Sequence, residues 1–368
     1  QRNYEKANMS ARQVLFIITA ISVVVSAVCL IFQKPLLRLI FGAVDADVMR
    51  ASETYFFFTA LSFPFIAAYD SAASIFRAQE NTRGPMTISM ISNIMNIGGN
   101  AVLIWVFHLG VAGAAISTLV SRIFCAVVVL WQLRKDRQPV VVKDYLKIRP
   151  DWSMIGRILG LGIPSGIENS MFQLGKLAIQ STVSTLGTAA IAAQAMTNIL
   201  ENLNGIAAIG VGVGLMTIVG QCLGAGRKDE AVYYIKKLSV IAEVAIIVSC
   251  LLVFALTRPV TALGGMEPAS AKMCFHMVTW ITLVKPIVWT LAFVPAYGLR
   301  AAGDVKFSMI TSCLVMWLCR FCLCVILIRF LGFGPMGVWI GMFADWTVRA
   351  VIFTWRFHSR RWLRYKVI

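Results

Sequence analysis

From its first residues the chain alternates apolar runs of about 20 residues with short basic or polar stretches. A run of that length crosses a ~30 Å hydrocarbon layer as a helix, because lipid offers no partner to an unpaired backbone N–H or C=O. The pattern predicts ten membrane-spanning helices: Val14–Phe32, Tyr55–Phe76, Met86–Phe107, Val111–Leu133, Ile158–Leu186, Ala189–Leu223, Leu238–Leu256, Met273–Leu299, Phe307–Phe330 and Met336–Trp355. The fifth and sixth exceed a simple crossing and are expected to kink, tilt or protrude, at Pro164 and at Gly210, Gly212 and Gly214.

Composition agrees with an all-α membrane protein. Apolar residues make up 58% of the 368 positions and charged residues 14%, against roughly 45–50% and about 25% in a soluble domain. The formal charge is +17, yet the basic residues punctuate apolar runs and do not gather on a polar surface, which argues for topology and against nucleic acid. Of the 34 Lys and Arg, 23 fall on the side of the N-terminus, 6 on the other and 5 within spans. By the positive-inside rule both termini are cytoplasmic, and the expected place is the cell's plasma membrane, multi-pass, with the lipid bilayer as partner and the chain as a monomer. Cys319, Cys322 and Cys324 share an apolar helix without a nearby His and are read as packing residues, so no metal is assigned. There is no HExxH or phosphate-binding loop, and His108, His276 and His358 lie at span edges or in the tail. An enzyme is disfavoured, and no cofactor is expected.

The chain repeats itself at an offset of 222–224 residues. Glu5-Lys6-Ala7 returns as Asp229-Glu230-Ala231, Gln33-Lys34-Pro35 as Thr257-Arg258-Pro259, Phe76-Arg77-Ala78 as Leu299-Arg300-Ala301, and Leu109-Gly110 as Leu331-Gly332. Spans one to four therefore match spans seven to ten, and the counterparts of spans five and six would precede residue 1. The expected organisation is an N-terminal lobe over 1–133 with four of six helices, a basic cytoplasmic linker over 134–157, a C-terminal lobe over 158–356 with six helices, and a basic cytoplasmic tail over 357–368. The whole would be a twelve-helix, two-lobe transporter with parallel six-helix repeats, N-terminally truncated by its first two helices.

Several helix ends carry recognisable motifs. Gly220-Gln221-Cys222-Leu223-Gly224-Ala225-Gly226 closes span six, Leu299-Arg300-Ala301-Ala302-Gly303-Asp304 closes span eight, Arg77-Ala78-Gln79-Glu80-Asn81-Thr82-Arg83 closes span two, and Gly162-Ile163-Pro164 opens span five. Together they resemble the multidrug and toxic compound extrusion (MATE) family, with Ala301 and Glu80 standing where that family usually has Gly. The resemblance implies export of organic molecules by alternating access of two lobes, driven by inward movement of H⁺ or Na⁺. It also aligns Asn96 and Asn100 with a family Asn-x-x-x-Asp, Asn100 replacing the acid.

Three spans carry polar side chains at helical spacing: Ser89, Asn93, Asn96 and Asn100; Asn169, Gln173, Lys176 and Gln180; and Gln194, Asn198, Glu201 and Asn202. Such groups are expensive in lipid and face a bundle interior or a wet cavity; they serve either as amide glue between helices or as a lining for substrate and ion. Ion coupling needs a carboxylate, and the candidates are Glu201 in the stripe, Glu168 one turn past Pro164, and Asp70 in span two. Asp345 and Arg349, four apart, are read as an internal ion pair. Lys176 and Lys285 would repel an organic cation unless Glu168 or Glu201 neutralised them; unneutralised, they favour an anionic or zwitterionic substrate. Two functions result: ion-coupled efflux of small amphipathic compounds, and flipping of a lipid-linked oligosaccharide, for which Arg122 and Lys285 would supply positive charge.

Overall fold

The computed structural model describes residues 4–41, 46–135, 140–142 and 149–364; the predicted linker positions Arg137, Lys143 and Lys147, with Arg2 and Lys366, lie outside them. Regular structure among the described residues is helical. The first part of the chain forms α1 (Tyr4–Ile31), α2 (Gln33–Phe41), α3 (Ala46–Leu61), α4 (Phe63–Ala78), α5 (Arg83–Ala101) and α6 (Gly110–Leu133). Then follow α7 (Trp152–Val183), α8 (Thr188–Gly224), α9 (Lys228–Leu263), α10 (Pro268–Ala301), α11 (Val305–Val315), α12 (Leu323–Arg329) and α13 (Met336–His358). Wider π-turns continue α5 over Val102–Val106 and join α11 to α12 over Met316–Cys322.

Among the described residues, eight helical stretches are long and apolar enough to cross a membrane, and a ninth arises if α3 and α4, bent by 40° at their junction, form one span. This corrects the expected ten. The missing member is α7, which at 32 residues is long enough but whose apolar run is diluted by Glu168, Asn169, Gln173, Lys176 and Gln180. α7 continues as helix through Pro164, and α8 through Gly210, Gly212 and Gly214. At 37 residues α8 is about 55 Å long, more than a perpendicular crossing needs. A helix break falls at Ser62, before Pro64, whose ring removes a backbone donor.

The chain divides into two compact units, Arg2–Leu159 and Gly160–Ile368. In the first, α1 packs on α4, and α3, α4 and α5 pack on α6 around Ala72, Phe76, Val129 and Leu133. Serine hydroxyls tie these helices: Ser26 donates to the Ala60 carbonyl at 2.7 Å and Ser92 to that of Ser121 at 3.0 Å. In the second unit, α8, α9, α10 and α13 enclose a core containing Leu215, Ile246, Ile281, Trp339 and Trp346. The outer stripe of α9, with Val240, Val244, Val248 and Leu251 exposed, suits lipid and would be costly in water.

The internal repeat survives in three dimensions as matched helix boundaries. Three motifs singled out in the sequence turn out to be helix C-caps. After α4, α8 and α10, the amides of Asn81, Arg227 and Asp304 bond to the carbonyls of Phe76, Cys222 and Leu299, a reverse turn that requires a left-handed residue just before the donor. Gly226 (φ 77°) and Gly303 (φ 90°) supply it in the second unit, whereas Glu80 (φ 63°) does so in the first. A side chain there costs on the order of 1 kcal/mol. Glu80→Gly is therefore expected to raise stability by roughly 0.5–1 kcal/mol, read as a higher unfolding midpoint in detergent.

Candidate functional site

The second unit holds a buried charge pair between two long helices, at the middle of α10 and about a third of the way along α8. Lys285 lies about 25 Å from either end of α10 at 1.5 Å per residue, just before Pro286, and is 0% exposed. Its ammonium donates to Glu201 Oε1 at 2.7 Å and to the Glu201 backbone carbonyl at 3.1 Å. The faces of Trp289 and Trp346 lie 5.5 and 5.9 Å from Lys285 Nζ. Gly205, one turn on from Glu201, lies against the ammonium: a Cβ there would sit 3.7 Å from it, an ordinary van der Waals contact. Burying an ammonium is expensive unless a counter-charge and further acceptors meet it, and here a carboxylate, a carbonyl and two aromatic faces do.

The rest of the α8 stripe divides between packing and exposure. Gln194 is buried, accepts a 3.0 Å bond from Trp339 Nε1 and donates to Asn198, tying α8 to α13; Asn202 is exposed. On α7, Asn169, Gln173, Lys176 and Gln180 are all exposed; Asn169 donates to the Ser165 carbonyl of its own helix, and Lys176 lies 4.9 Å from the Phe172 ring centre. On α5, Asn96 donates to Thr118 and accepts from Asn100, while Ser117 donates to the Asn96 carbonyl, so Asn96 joins α5 to α6 and Asn100 bonds within α5. Asn93 is exposed. Asp70 on α4 is exposed as well, and no salt bridge to it is formed among the described residues.

Glu168 does not meet a lysine. Arg300, from the motif closing α10, donates to Glu168 Oε1 and, through Nε, to Ser308. Asp304, the last residue of that motif, is buried and accepts from Arg356 at 2.7 Å. The motif thus caps a helix and also presents two charged side chains to its neighbours. Asp345 and Arg349 pair at 2.9 Å, with Arg349 also bonded to the hydroxyl and carbonyl of Ser312. Arg122 in the first unit donates to Ser62 at 2.6 Å, at the break between α3 and α4.

Sequence reasoning passed over Arg320, Trp289, Trp346 and Arg300. The signal available for Arg320 was the count of charges: the C-terminal spans carry four basic residues, Lys176, Lys285, Arg320 and Arg349, and the acids assigned to coupling or pairing there do not match them one for one. The tryptophans gave no such signal, because an aromatic at helical spacing is ordinary core.

A MatE family profile matches residues 164–326, and a profile described as Lipid II flippase MurJ matches residues 1–148. The chain is 24% identical over 336 residues to the probable multidrug resistance protein NorM of Thermotoga maritima, covering 89% of this chain and 71% of that one. It is 23% identical over 359 residues to the probable multidrug resistance protein YoeA of Bacillus subtilis, covering 95% and 76%. Among solved structures, the outward-facing conformation of a multidrug resistance MATE family transporter of the MOP superfamily superposes with a TM-score of 0.86 at 18% identity, over 98% of this chain and 80% of that one. Family profile, relatives and fold point the same way: the chain matches the MatE family over residues 164–326, is similar along most of its length to relatives named as probable multidrug resistance proteins, and has the fold of solved MATE transporters.

Proposed function

We propose that the protein exports small amphipathic organic compounds by alternating access, driven by inward movement of H⁺ or Na⁺, in the plasma membrane with both termini on the cytoplasmic side. The relatives named as multidrug resistance proteins support efflux, and the basic bias of the connections supports the orientation. The observation that carries the coupling step is the Glu201–Lys285 pair. A charged Glu201 neutralises Lys285. A proton on that carboxylate, or Na⁺ bound to it, weakens the acceptor and leaves a fully buried ammonium held by one carbonyl and two ring faces. Lys285 must then lose its proton or shift, and either event alters the contact between α8 and α10 beside Gly205 and Pro286. The ion and the conformational state are linked through one charge, as an ion-coupled transporter requires. Glu168, held by Arg300, and Asp70 are the second and third candidates. The exposed Lys176, Asn93, Asn169, Gln173, Gln180 and Asn202 supply polar groups for substrate, whereas Asn96, Asn100, Gln194 and Asn198 are engaged with one another or with neighbouring helices.

The match of residues 1–148 to the lipid II flippase profile favours one second reading, movement of a lipid-linked oligosaccharide. The protein reconstituted in proteoliposomes separates the two. Uptake of amphipathic fluorophores of either charge is expected under a proton gradient alone or a sodium gradient alone. Uptake that ignores both gradients contradicts coupling, and movement of a lipid-linked oligosaccharide without fluorophore uptake supports the second reading.

A further inference from the structure

The charges buried in the C-terminal unit do not balance. Lys285, Arg320 and Arg349 are each at most 5% exposed, against Asp345 at 0%, Asp304 at 2%, which Arg356 already takes, and Glu201, whose side chain is 15% exposed. Lys285 is matched by Glu201, and Arg349 by Asp345. Arg320 is left over: no carboxylate lies within 4.0 Å of it among the described residues. Its Nη2 donates to the thioether of Met342 at 3.5 Å, a weak acceptor, and its Nε is buried without a partner. Asp345 is within electrostatic reach, as are Glu201 and Arg349, and Asp345 Oδ2 is itself unpartnered. One aspartate therefore faces two guanidinium groups.

Two further observations mark the place as a site. Arg320 stands on the π-turn Met316–Cys322, a rare distortion that recurs at functional positions. The turn is backed closely by α13, since a Cβ at Gly341 would stand 2.9 Å from the Arg320 carbonyl. Across from it, the ring of Phe172 is shared by Arg320, at 5.2 Å from its centre, and Lys176, at 4.9 Å. Two cations on one ring repel each other, and an anion beside them would relieve both.

We infer that Arg320 and Lys176, which share the Phe172 ring, bind the anionic group of the transported compound, a carboxylate or phosphate on an otherwise apolar molecule. This rests on the export reading and gives its substrate class. Arg320 supplies the fixed, forked donor and Lys176 the mobile point charge. The Glu201–Lys285 pair stays neutral and free to respond to the coupling ion.

The test is calorimetric titration of the purified chain in neutral detergent with 2-naphthoate, 2-naphthylmethanol and 2-naphthylmethylammonium, which share a ring system and differ in charge. The carboxylate is expected to bind about tenfold or more tighter than the alcohol, the gain of a charge-assisted hydrogen bond, and the ammonium most weakly. Arg320→Met is expected to erase this preference without lowering the unfolding temperature, because it removes an uncompensated charge. Lys176→Gln, on the exposed face of α7, is expected to reduce the preference severalfold and gives an independent reading if the Arg320 variant does not fold. Displacement of naphthoate by dihexanoyl phosphatidylglycerol would assign the anion to a lipid headgroup, and its failure to displace would assign it to a free solute. Equal binding of carboxylate and alcohol, or a preference unchanged in both variants, overturns the inference. Gradient-driven export with no carboxylate preference sinks this site alone, whereas a carboxylate preference without export counts against the export reading and leaves the site standing.

Discussion

Glu201→Leu is expected to destabilise the protein by about 3–5 kcal/mol, because it strands a fully buried ammonium without its counter-charge. Among the described residues Lys285 keeps only the Glu201 backbone carbonyl and the two tryptophan faces, and a desolvated cation on an aromatic face recovers about 2 kcal/mol or more, which offsets part of the cost. Lys285→Met is expected to cost less, since the remaining carboxylate is partly exposed and can be hydrated. The double variant Glu201→Leu/Lys285→Met should recover most of the loss, as apolar replacements of buried ion pairs do. Unfolding midpoints of the four proteins in one detergent complete the cycle. A double variant whose loss equals the sum of the two single losses would show that the two side chains do not share an interaction.

The second large effect belongs to Asp345. Its carboxylate is 0% exposed and bound to Arg349, and among the described residues Arg320 already lacks a carboxylate within salt-bridge reach. Asp345→Ala leaves two guanidinium groups in one interior with no acid between them, and the expected loss is again about 3–5 kcal/mol. Asp345→Asn keeps the shape and one acceptor oxygen but not the charge, and should fall between wild type and Asp345→Ala. Ser312→Ala removes a single hydroxyl acceptor from Arg349 and should cost only about 1–2 kcal/mol. If Ser312→Ala and Asp345→Ala proved equally harmful, charge would not be what holds this corner of the unit together. Glu201 and Asp345 thus differ in kind: the first is partly exposed and sits beside a lysine that can give up its proton, the second is enclosed by a guanidinium that cannot.

Most of the helical plan was legible because lipid leaves one economical backbone solution for a long apolar run, and the repeat was legible because turn residues recur where helices end. Asp229-Glu230-Ala231 and Leu299-Arg300-Ala301 mark such ends, and the structure explains them as a helix start and a C-cap. What the pattern could not convey was local backbone geometry. A single span was expected over Tyr55–Phe76, yet the chain bends at Ser62. A run of small and large apolar residues likewise looks the same in an α-helix and in the π-turns of Val102–Val106 and Met316–Cys322. The polar stripes were visible as stripes, but not their partners. Asn96 turned to α6, Gln194 to Trp339, and Glu168 to Arg300, because pairing across helices depends on rotation about each axis, which periodicity does not give. Lys285 was expected to need a carboxylate, with Glu168 and Glu201 as alternatives; the geometry selects Glu201.

The most direct test of the account is gradient-driven uptake by Glu201→Gln in proteoliposomes, compared with wild type at equal reconstitution under separately imposed H⁺ and Na⁺ gradients. Glutamine keeps an acceptor for Lys285 but neither titrates nor carries a charge for Na⁺. The account predicts that uptake falls to the level seen without a gradient while substrate binding persists. Uptake by this variant that still rises with either gradient as it does in wild type would contradict it.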